Sequence, residues 1–377
     1  MNNAGGGVDP REDDLAARAL LTRLTEPGDA RVGRAVLEHG APAAVHRVVA
    51  SDQHWQAAHA RLAGRDPGEV VQEDLARLAQ VGGRLVVPGT PGWPTQLDDL
   101  GERAPIALWL RGGGDLRLIA ATGLSIVGAR DCTEYGEHVG AELAVGLVER
   151  GWSIVSGGAY GIDAAAHRGA LAADGATIAV LACGVDVAYP RGHEALLRRI
   201  VAEGVVVSEL APGVTARRER FLVRNRVIAA LTRGTIVVEA AARSGSLSTA
   251  RAAADLGRFV MGVPGPVTSR ASVGVHQLLK DGAQLVTSVD DVAEAVGRLG
   301  VNLAPELRGP VAPRDTLDPT ARRVLDALPA RGTVGAVELA REAGVPLGRA
   351  TATLGLLELD GFVTREPGGW ALTAKSR

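Results

Sequence analysis

LSIVGARDCTEYGEHVGAELAVGLVERGWSIVSGGAYGIDAAAHRGALAADGATIAVLAC, residues 124–183, decides the fold. It holds three short apolar runs, LSIVG (124–128), WSIVSGG (152–158) and TIAVLAC (177–183), separated by segments with helical spacing. An apolar run without polar alternation reads as a strand buried on both faces. Strand, helix and strand in succession read as a parallel sheet covered by helices. The rhythm continues through VVVSEL (205–210), TIVVEA (235–240), FVMGVPG (259–265) and QLVTS (284–288). The fold class is therefore α/β, a doubly wound parallel sheet.

The flanks read differently. Segments 14–24, 30–38, 43–50 and 69–80 carry apolar residues at helical spacing, broken at Pro27-Gly28 and at Gly40-Ala41-Pro42, so a small helical domain is expected over 1–80. Residues 83–115 hold two strand-like runs, RLVVPG and IALWLRG, that lead into the sheet domain, expected over 83–299. The proline-bearing stretch 300–317 reads as a linker. Residues 318–377 give helical patterns at 319–329, 335–343 and 347–360, then strand-like FVTRE (362–366) and GWALT (369–373). Three helices and a β-ribbon are the outline of a winged helix.

Composition narrows the function classes. The 377 residues are 46% hydrophobic and 22% charged, enough apolar material for more than one core. Two cysteines, Cys132 and Cys183, exclude a disulfide framework and a cysteine-rich zinc module. The first residues lack an apolar signal region and no uncharged 18-residue apolar run occurs, so no membrane partner and a cytoplasmic location are expected. Net charge is −2, which is no footprint for nucleic acid by itself. Yet only Lys280 and Lys375 are lysines among 41 basic residues, and guanidinium suits bidentate phosphate contacts.

Ligands of an open parallel sheet sit beyond the carboxyl ends of its strands. Those ends here are Gly128-Ala129-Arg130, GGAYGID (157–163), Ala211-Pro212-Gly213, AARSGSLSTA (241–250) and PGPVTSR (264–270). SGGAYGID enters a helix near Gly161, and glycines before a helix start let an anion meet free N–H groups. The plain alternative is a tight strand-to-helix turn. RSGSLSTA adds Arg243 and the hydroxyls of Ser244, Ser246, Ser248 and Thr249, although serine before a helix is also an ordinary cap. The stretch 214–233 carries Arg217, Arg218, Arg220, Arg224, Arg226 and Arg233 against Glu219 alone, together with Phe221. A basic stripe with an aromatic suits single-stranded nucleic acid, where cations hold phosphates and a ring stacks a base. Its competitor is a solvated, ion-paired helix face. Tyr135, Tyr160 and Tyr189 lie just past strand ends and can stack a base or close a pocket. The fingerprint G-x-G-x-x-G and its ribose acid are missing, as are HExxH, GxSxG and the P-loop. Asp163, His167 and Glu239 read as structural groups before they read as an acid–base set.

The ordered set IVGAR (126–130), SGGAYGIDAAAHRGAL (156–171), TIAVLACGVDVAYPRGHEAL (177–196), SEL-PG (208–213), F-x-x-RNRVIA-L (221–231), VVEAAARSGSLSTARAAADLGR (237–258) and VPG (263–265) resembles the DprA family, also called Smf. The resemblance implies an extended Rossmann domain between a small helical, SAM-like domain and a winged helix. It implies a protein that is not an enzyme, uses no cofactor or metal, binds and protects single-stranded DNA, and helps load RecA recombinase during DNA uptake and recombination. It also implies a homodimer. Phosphate-binding positions carry over to Arg130, to Gly157, Gly158, Ala159 and Gly161, and to Ser244, Gly245, Ser246 and Thr249. The basic wall carries over to Arg218, Arg224, Asn225 and Arg226, with Phe221 as the stacking ring, and Arg243 joins them from its strand end.

Two departures stand out. The family's helical domain often carries a Gly-x-Gly hairpin, where this chain has LTEPGDARVG. The expected recognition helix of the winged domain, LGRATATLGLLELDG, has one arginine and two acids, so a packing or protein-contact role is expected of it. The alternative class is a nucleotide-phosphate hydrolase of the lysine-decarboxylase-like α/β type. It needs a carboxylate beside the glycine loop, and Glu239 is the nearest.

Overall fold

The strands form where the sequence runs apolar without alternation. In chain order they are β1 (Gly83–Val86), β2 (Leu108–Arg111), β3 (Gly123–Val127), β4 (Ser153–Ser156), β5 (Thr177–Leu181), β6 (Val205–Ser208), β7 (Gly234–Val237), β8 (Phe259–Gly262) and β9 (Gln284–Leu285). They make one sheet in the order β1-β2-β6-β5-β4-β3-β7-β8-β9. From β6 to β9 every neighbouring pair is parallel. The lead-in runs become two antiparallel strands at one end of the sheet, β2 pairing Trp109 with Ser208 of β6 and β1 forming the edge. The computed structural model describes residues 13–49, 60–297 and 313–374.

Alternation along each strand sorts the core into two faces. Leu124, Ile126, Ile154 and Ile236 point to one side, against α6 (Glu134–Glu149), α7 (Ile162–Ala172) and α12 (Val289–Val296). Ala179, Leu181 and Val206 extend that side to α8 (Glu194–Glu203). Val127, Val155, Ile178 and Val207 point to the other, against α5 (Leu116–Ala121), α9 (Arg218–Ala230), α10 (Ser246–Asp255) and α11 (Val273–Lys280). Helices on both faces explain why β3 to β7 are buried along their whole length.

The first helices are α1 (Asp14–Leu24), α2 (Ala30–His39), α3 (Ala41–Val49) and α4 (Pro67–Gln80). Asp13, Asp29 and Asp66 cap α1, α2 and α4 through their side chains. These helices share one apolar cluster with Trp109, Leu181, Val206 and Ile200. Trp109 Nε1 donates to Thr22 Oγ1 at 3.0 Å. The helical segment and the sheet accordingly fall in one compact unit, Met1–Ala304.

The second unit is Pro305–Arg377. The expected linker lies outside the described residues except for its last few. Beyond it come α13 (Pro319–Asp326), α14 (Ala336–Ala343), α15 (Leu347–Leu359) and the hairpin β10 (Val363–Glu366) and β11 (Gly369–Leu372). Val324, Leu339, Leu354, Phe362 and Trp370 make its core. The three helical patterns and the ribbon are where the sequence placed them. No helix among the described residues is long and apolar enough to cross a membrane.

Candidate nucleic-acid interface

After β3 the chain builds outward through β4, β5 and β6 in one direction, and through β7, β8 and β9 in the other. The switch point therefore lies between β3 and β7, where the loops leaving adjacent strands diverge. A cleft of about 1130 Å³ opens there, lined by the ends of β3 and β7, the first turns of α9 and the 269–271 loop.

Glycines thread the backbone into this corner. A Cβ on Gly128 would lie 2.5 Å from Ile162 and 2.9 Å from Glu239 O, so β3 can end only in glycine here. Ala129 N donates to Glu239 O at 2.7 Å, and Ile162 N to Ala129 O at 3.2 Å. Arg130 is thereby carried out into the cleft. Gly161 has φ +74°, and a Cβ there would strike the Ala129 carbonyl.

The 157–161 loop belongs to the turn reading. Asp163 Oδ2 accepts from Gly157 N at 3.1 Å and from Ala159 N at 3.3 Å. Gly158 O lies 3.0 Å from His193 Nδ1. The loop's N–H groups thus serve a buried carboxylate, and of the loop only Ala159 lines the cleft. Gly157, Gly158 and Gly161 shape the corner from behind.

The six arginines of the basic stretch divide. Arg217 and Arg218 are exposed at the cleft rim. Arg220 forks onto Glu26, both contacts at 2.9 Å. Arg226 forks onto Glu209 at 2.6 and 2.7 Å and does not line the cleft. Arg224 reaches the cleft floor, but its Nη1 serves Gly157 O at 2.8 Å and Val180 O, and its Nε serves Asn225 Oδ1 at 3.1 Å. Burial lowers the Arg224 pKa to about 10 against the pull of Asp163. Burial raises that of Asp163, with Arg224 opposing. Arg233 lies outside the cleft, 5.6 Å from the Trp152 ring centroid. The expected wall of Arg218, Arg224 and Arg226 thus places only Arg218 as an open cation.

The open cations come from four places in the chain. Arg130, Arg217, Arg218, Arg243 and Arg270 line the cleft, are exposed, and form no ion pair among the described residues. Only Asp131 and the buried Asp163 bring negative charge to the lining. Arg270 and Arg217 were not in the expected site set, although PGPVTSR stood among the strand ends. The guanidinium of Arg130 lies 4.9 Å from the Phe221 ring centroid, and Tyr189 packs on the same ring at 5.4 Å, tilted 43°. Of the three tyrosines only Tyr189 lines the cleft. Tyr135 donates to Pro264 O at 2.8 Å and Tyr160 stacks edgewise on His193.

The second glycine loop is held from beneath. Asn225 Nδ2 donates to Gly245 O at 3.1 Å and to Ser248 Oγ at 2.7 Å, so Asn225 ties the loop to α9. Ser244 and Ser246 share a hydrogen bond at 2.7 Å. Thr249 lines the cleft at 1% exposure, its hydroxyl without a partner among the described residues.

Beneath the 157–161 loop sits His167. Its Nδ1 is 2.8 Å from Thr177 Oγ1, whose own proton goes to Ile154 O at 2.7 Å. Nδ1 therefore carries the ring proton, and Nε2 has no partner. Burial first, then the charges of His193 and Arg224, depresses this histidine to about 3 from 6.5. The unfolded chain takes up the proton near pH 6.5 and the folded chain refuses it until about 3, so stability falls as pH drops through that window. By pH 5 the loss is about 2 kcal/mol. Denaturant midpoints at pH 7 and pH 5 should show that loss in the wild type and a loss smaller by about that amount in His167→Gln; equal losses would mean the ring is protonated when folded. Cys183, pushed up to about 12 by burial, is an inert thiol.

Comparison with known proteins agrees with this architecture. The family model for DNA recombination-mediator protein A matches residues 84–297. The chain belongs to this family. The DprA winged helix domain matches residues 308–369. A Mycobacterium tuberculosis protein bearing the DNA processing protein DprA name is 43% identical over 366 residues, 94% of each chain. The Escherichia coli protein Smf is 35% identical over 314 residues, 81% of each. Among solved structures, DprA of Streptococcus pneumoniae superposes with TM-score 0.59 at 32% identity, over 77% of this chain and 98% of that one. DprA of Helicobacter pylori, described for its single-stranded DNA binding mode, gives TM-score 0.50 at 28% identity, over 56% and 93%.

Proposed function

We propose that this DprA family member is a DNA-processing protein that binds single-stranded DNA in the switch-point cleft and does not transform it. One observation carries the reading: five unpaired guanidiniums surround a cleft whose wall holds stacked Phe221 and Tyr189. Open cations beside an aromatic platform match a flexible polyanion with exposed bases. The single-strand binding described for the H. pylori relative supports the same chemistry. Glu239 and Asp163, the carboxylates packed beneath the strand-end loops, are already engaged. Glu239 accepts from Thr133 N at 2.8 Å and from Thr133 Oγ1 at 2.6 Å, and Asp163 holds the loop. That arrangement favours a binding role over the hydrolase alternative. Delivery of the strand to RecA during DNA uptake, action as a homodimer and a cytoplasmic location complete the proposal.

The test is anisotropy with oligo-dT and with duplex over a salt series. Each phosphate engaged in a single strand contributes about −0.7 to the logarithmic salt slope, so five guanidiniums give roughly −3.5. Indifference to oligo-dT at low salt, or steady turnover of nucleoside monophosphates, would reject the reading. RecA delivery requires faster RecA filament nucleation on oligo-dT when this protein is added. Removal of residues 318–377 should leave the affinity within about twofold. That segment has eight basic and seven acidic residues, and α15 exposes Leu356 and Leu359 where a groove reader would place cations. A loss of an order of magnitude would assign the winged helix a direct DNA contact.

A further inference from the structure

The LTEPGD turn between α1 and α2 is a departure from the family pattern that the cleft has not absorbed. In the structure this turn packs on α9. Glu26 accepts both arms of the Arg220 fork, at 2.9 Å each, and is also paired with Arg61. Arg220 completes its set with Thr215 O at 2.9 Å and is 8% exposed. Six residues along the helix, the Arg226 guanidinium lies so close to Gly28 that a Cβ there would approach to 2.9 Å. Six residues are about 9 Å of helix, so the turn grips α9 on two successive rungs.

The two gripped arginines lie outside the cleft lining. Arg218, Phe221, Leu222 and Asn225 line the cleft at helical spacing, while Arg220 and Arg226 do not. The cap position of α9 is Arg217, which makes no side-chain capping bond. An uncapped first turn frays unless something else holds it. Here that turn carries Arg218 and Phe221, the very groups meant for the strand.

We propose that Glu26 is a positioning residue for the single-strand cleft. Its carboxylate withdraws Arg220 from the phosphate-binding set and fixes the uncapped turn of α9, so that Arg218 and Phe221 face the ligand. The claim rests on the single-strand reading above. It gives the helical segment a role in DNA binding without a DNA contact of its own.

Full-length Glu26→Ala and Glu26→Gln chains test it by three readouts. Without DNA, amides of 218–224 should exchange faster in Glu26→Ala. With oligo-dT at 100 mM salt, Kd should rise at least fivefold, with an unchanged salt slope because no phosphate contact is lost. Glu26→Gln, which keeps an acceptor for Arg220, should fall between. Melting temperature is read alongside, and binding is compared where each chain is folded, because Glu26→Ala leaves the buried Arg220 without its carboxylate. Unchanged exchange, or unchanged Kd in a wild type that binds, overturns the positioning role. Tighter binding with a steeper slope also overturns it, because Arg220 would then have joined the phosphate contacts. A wild type that ignores oligo-dT ends the single-strand reading and the positioning role together, and the exchange result alone then reports whether Glu26 holds the helix.

Discussion

Arg130→Glu is expected to weaken oligo-dT binding at least tenfold at 100 mM salt, ~1.4 kcal/mol. The change removes one of five open cations and puts an anion in the same place, facing Arg217, Arg218, Arg243 and Arg270 across the cleft. It also uncovers the Phe221 ring, whose face the guanidinium now occupies at 4.9 Å. Arg130→Lys separates the two effects. The ammonium keeps the charge but loses the planar stacking surface and the bidentate fork, so an intermediate loss is expected. Arg130→Ala should reduce the salt slope by about 0.7, the share of a single phosphate. Because Arg130 is exposed, the fold should survive all three changes, and the melting temperature provides the control. Wild-type affinity in Arg130→Glu would remove this residue from the interface and leave the cleft without its central cation.

The strands of the sheet were legible because a parallel strand buried on both faces has no polar alternation, and VVVS or TIAVL admits few other readings. The strand ends were legible for the same reason, and with them the place of the cleft. The fate of each arginine was not. Arg220 and Arg226 read as free cations because only Glu219 stands near them in sequence. Their acids are Glu26, 194 residues away, and Glu209, 17 away. A pairing made by tertiary folding leaves no local trace. The glycine loop misled in a related way. Gly157 and Ala159 do present N–H groups together, as an anion site requires. The acceptor is Asp163, four residues beyond Ala159 and already in the chain. Arg270 shows the opposite error. It lies beyond β8 in a loop that carried no charge cluster, and only the topology brings it to the cleft that Arg243 also lines. The helical segment, expected as a separate domain, shares its core with β2, β5 and β6, because its apolar faces meet strands far along the chain.

Arg224 carries the second large effect, and it is on stability. Its Nη1 donates to the Gly157 and Val180 carbonyls and its Nε to Asn225 Oδ1, all inside the protein. Its electrostatic partner is Asp163, whose carboxyl burial pushes above its usual range even with the guanidinium nearby. Burial therefore costs this pair more than the attraction returns, and removing one member is worse than removing both. Arg224→Met is expected to lose on the order of 3–5 kcal/mol, because Asp163 is left buried without its counter-charge and two carbonyls lose a donor. Asp163→Asn in the same chain should recover part of the loss, since an amide oxygen still accepts from Gly157 and Ala159 without a charge. Denaturant unfolding of the wild type, both single variants and the double variant closes the cycle. At a temperature where each is folded, the salt slope for oligo-dT should stay at the wild-type value, because a buried guanidinium whose Nε and Nη1 are committed to protein acceptors is expected to release no counterion from a strand. An Arg224→Met chain that unfolds like the wild type while its Kd rises tenfold would move this guanidinium out of the scaffold and into the DNA interface, and the division of the arginine ridge into pins and contacts would have to be redrawn.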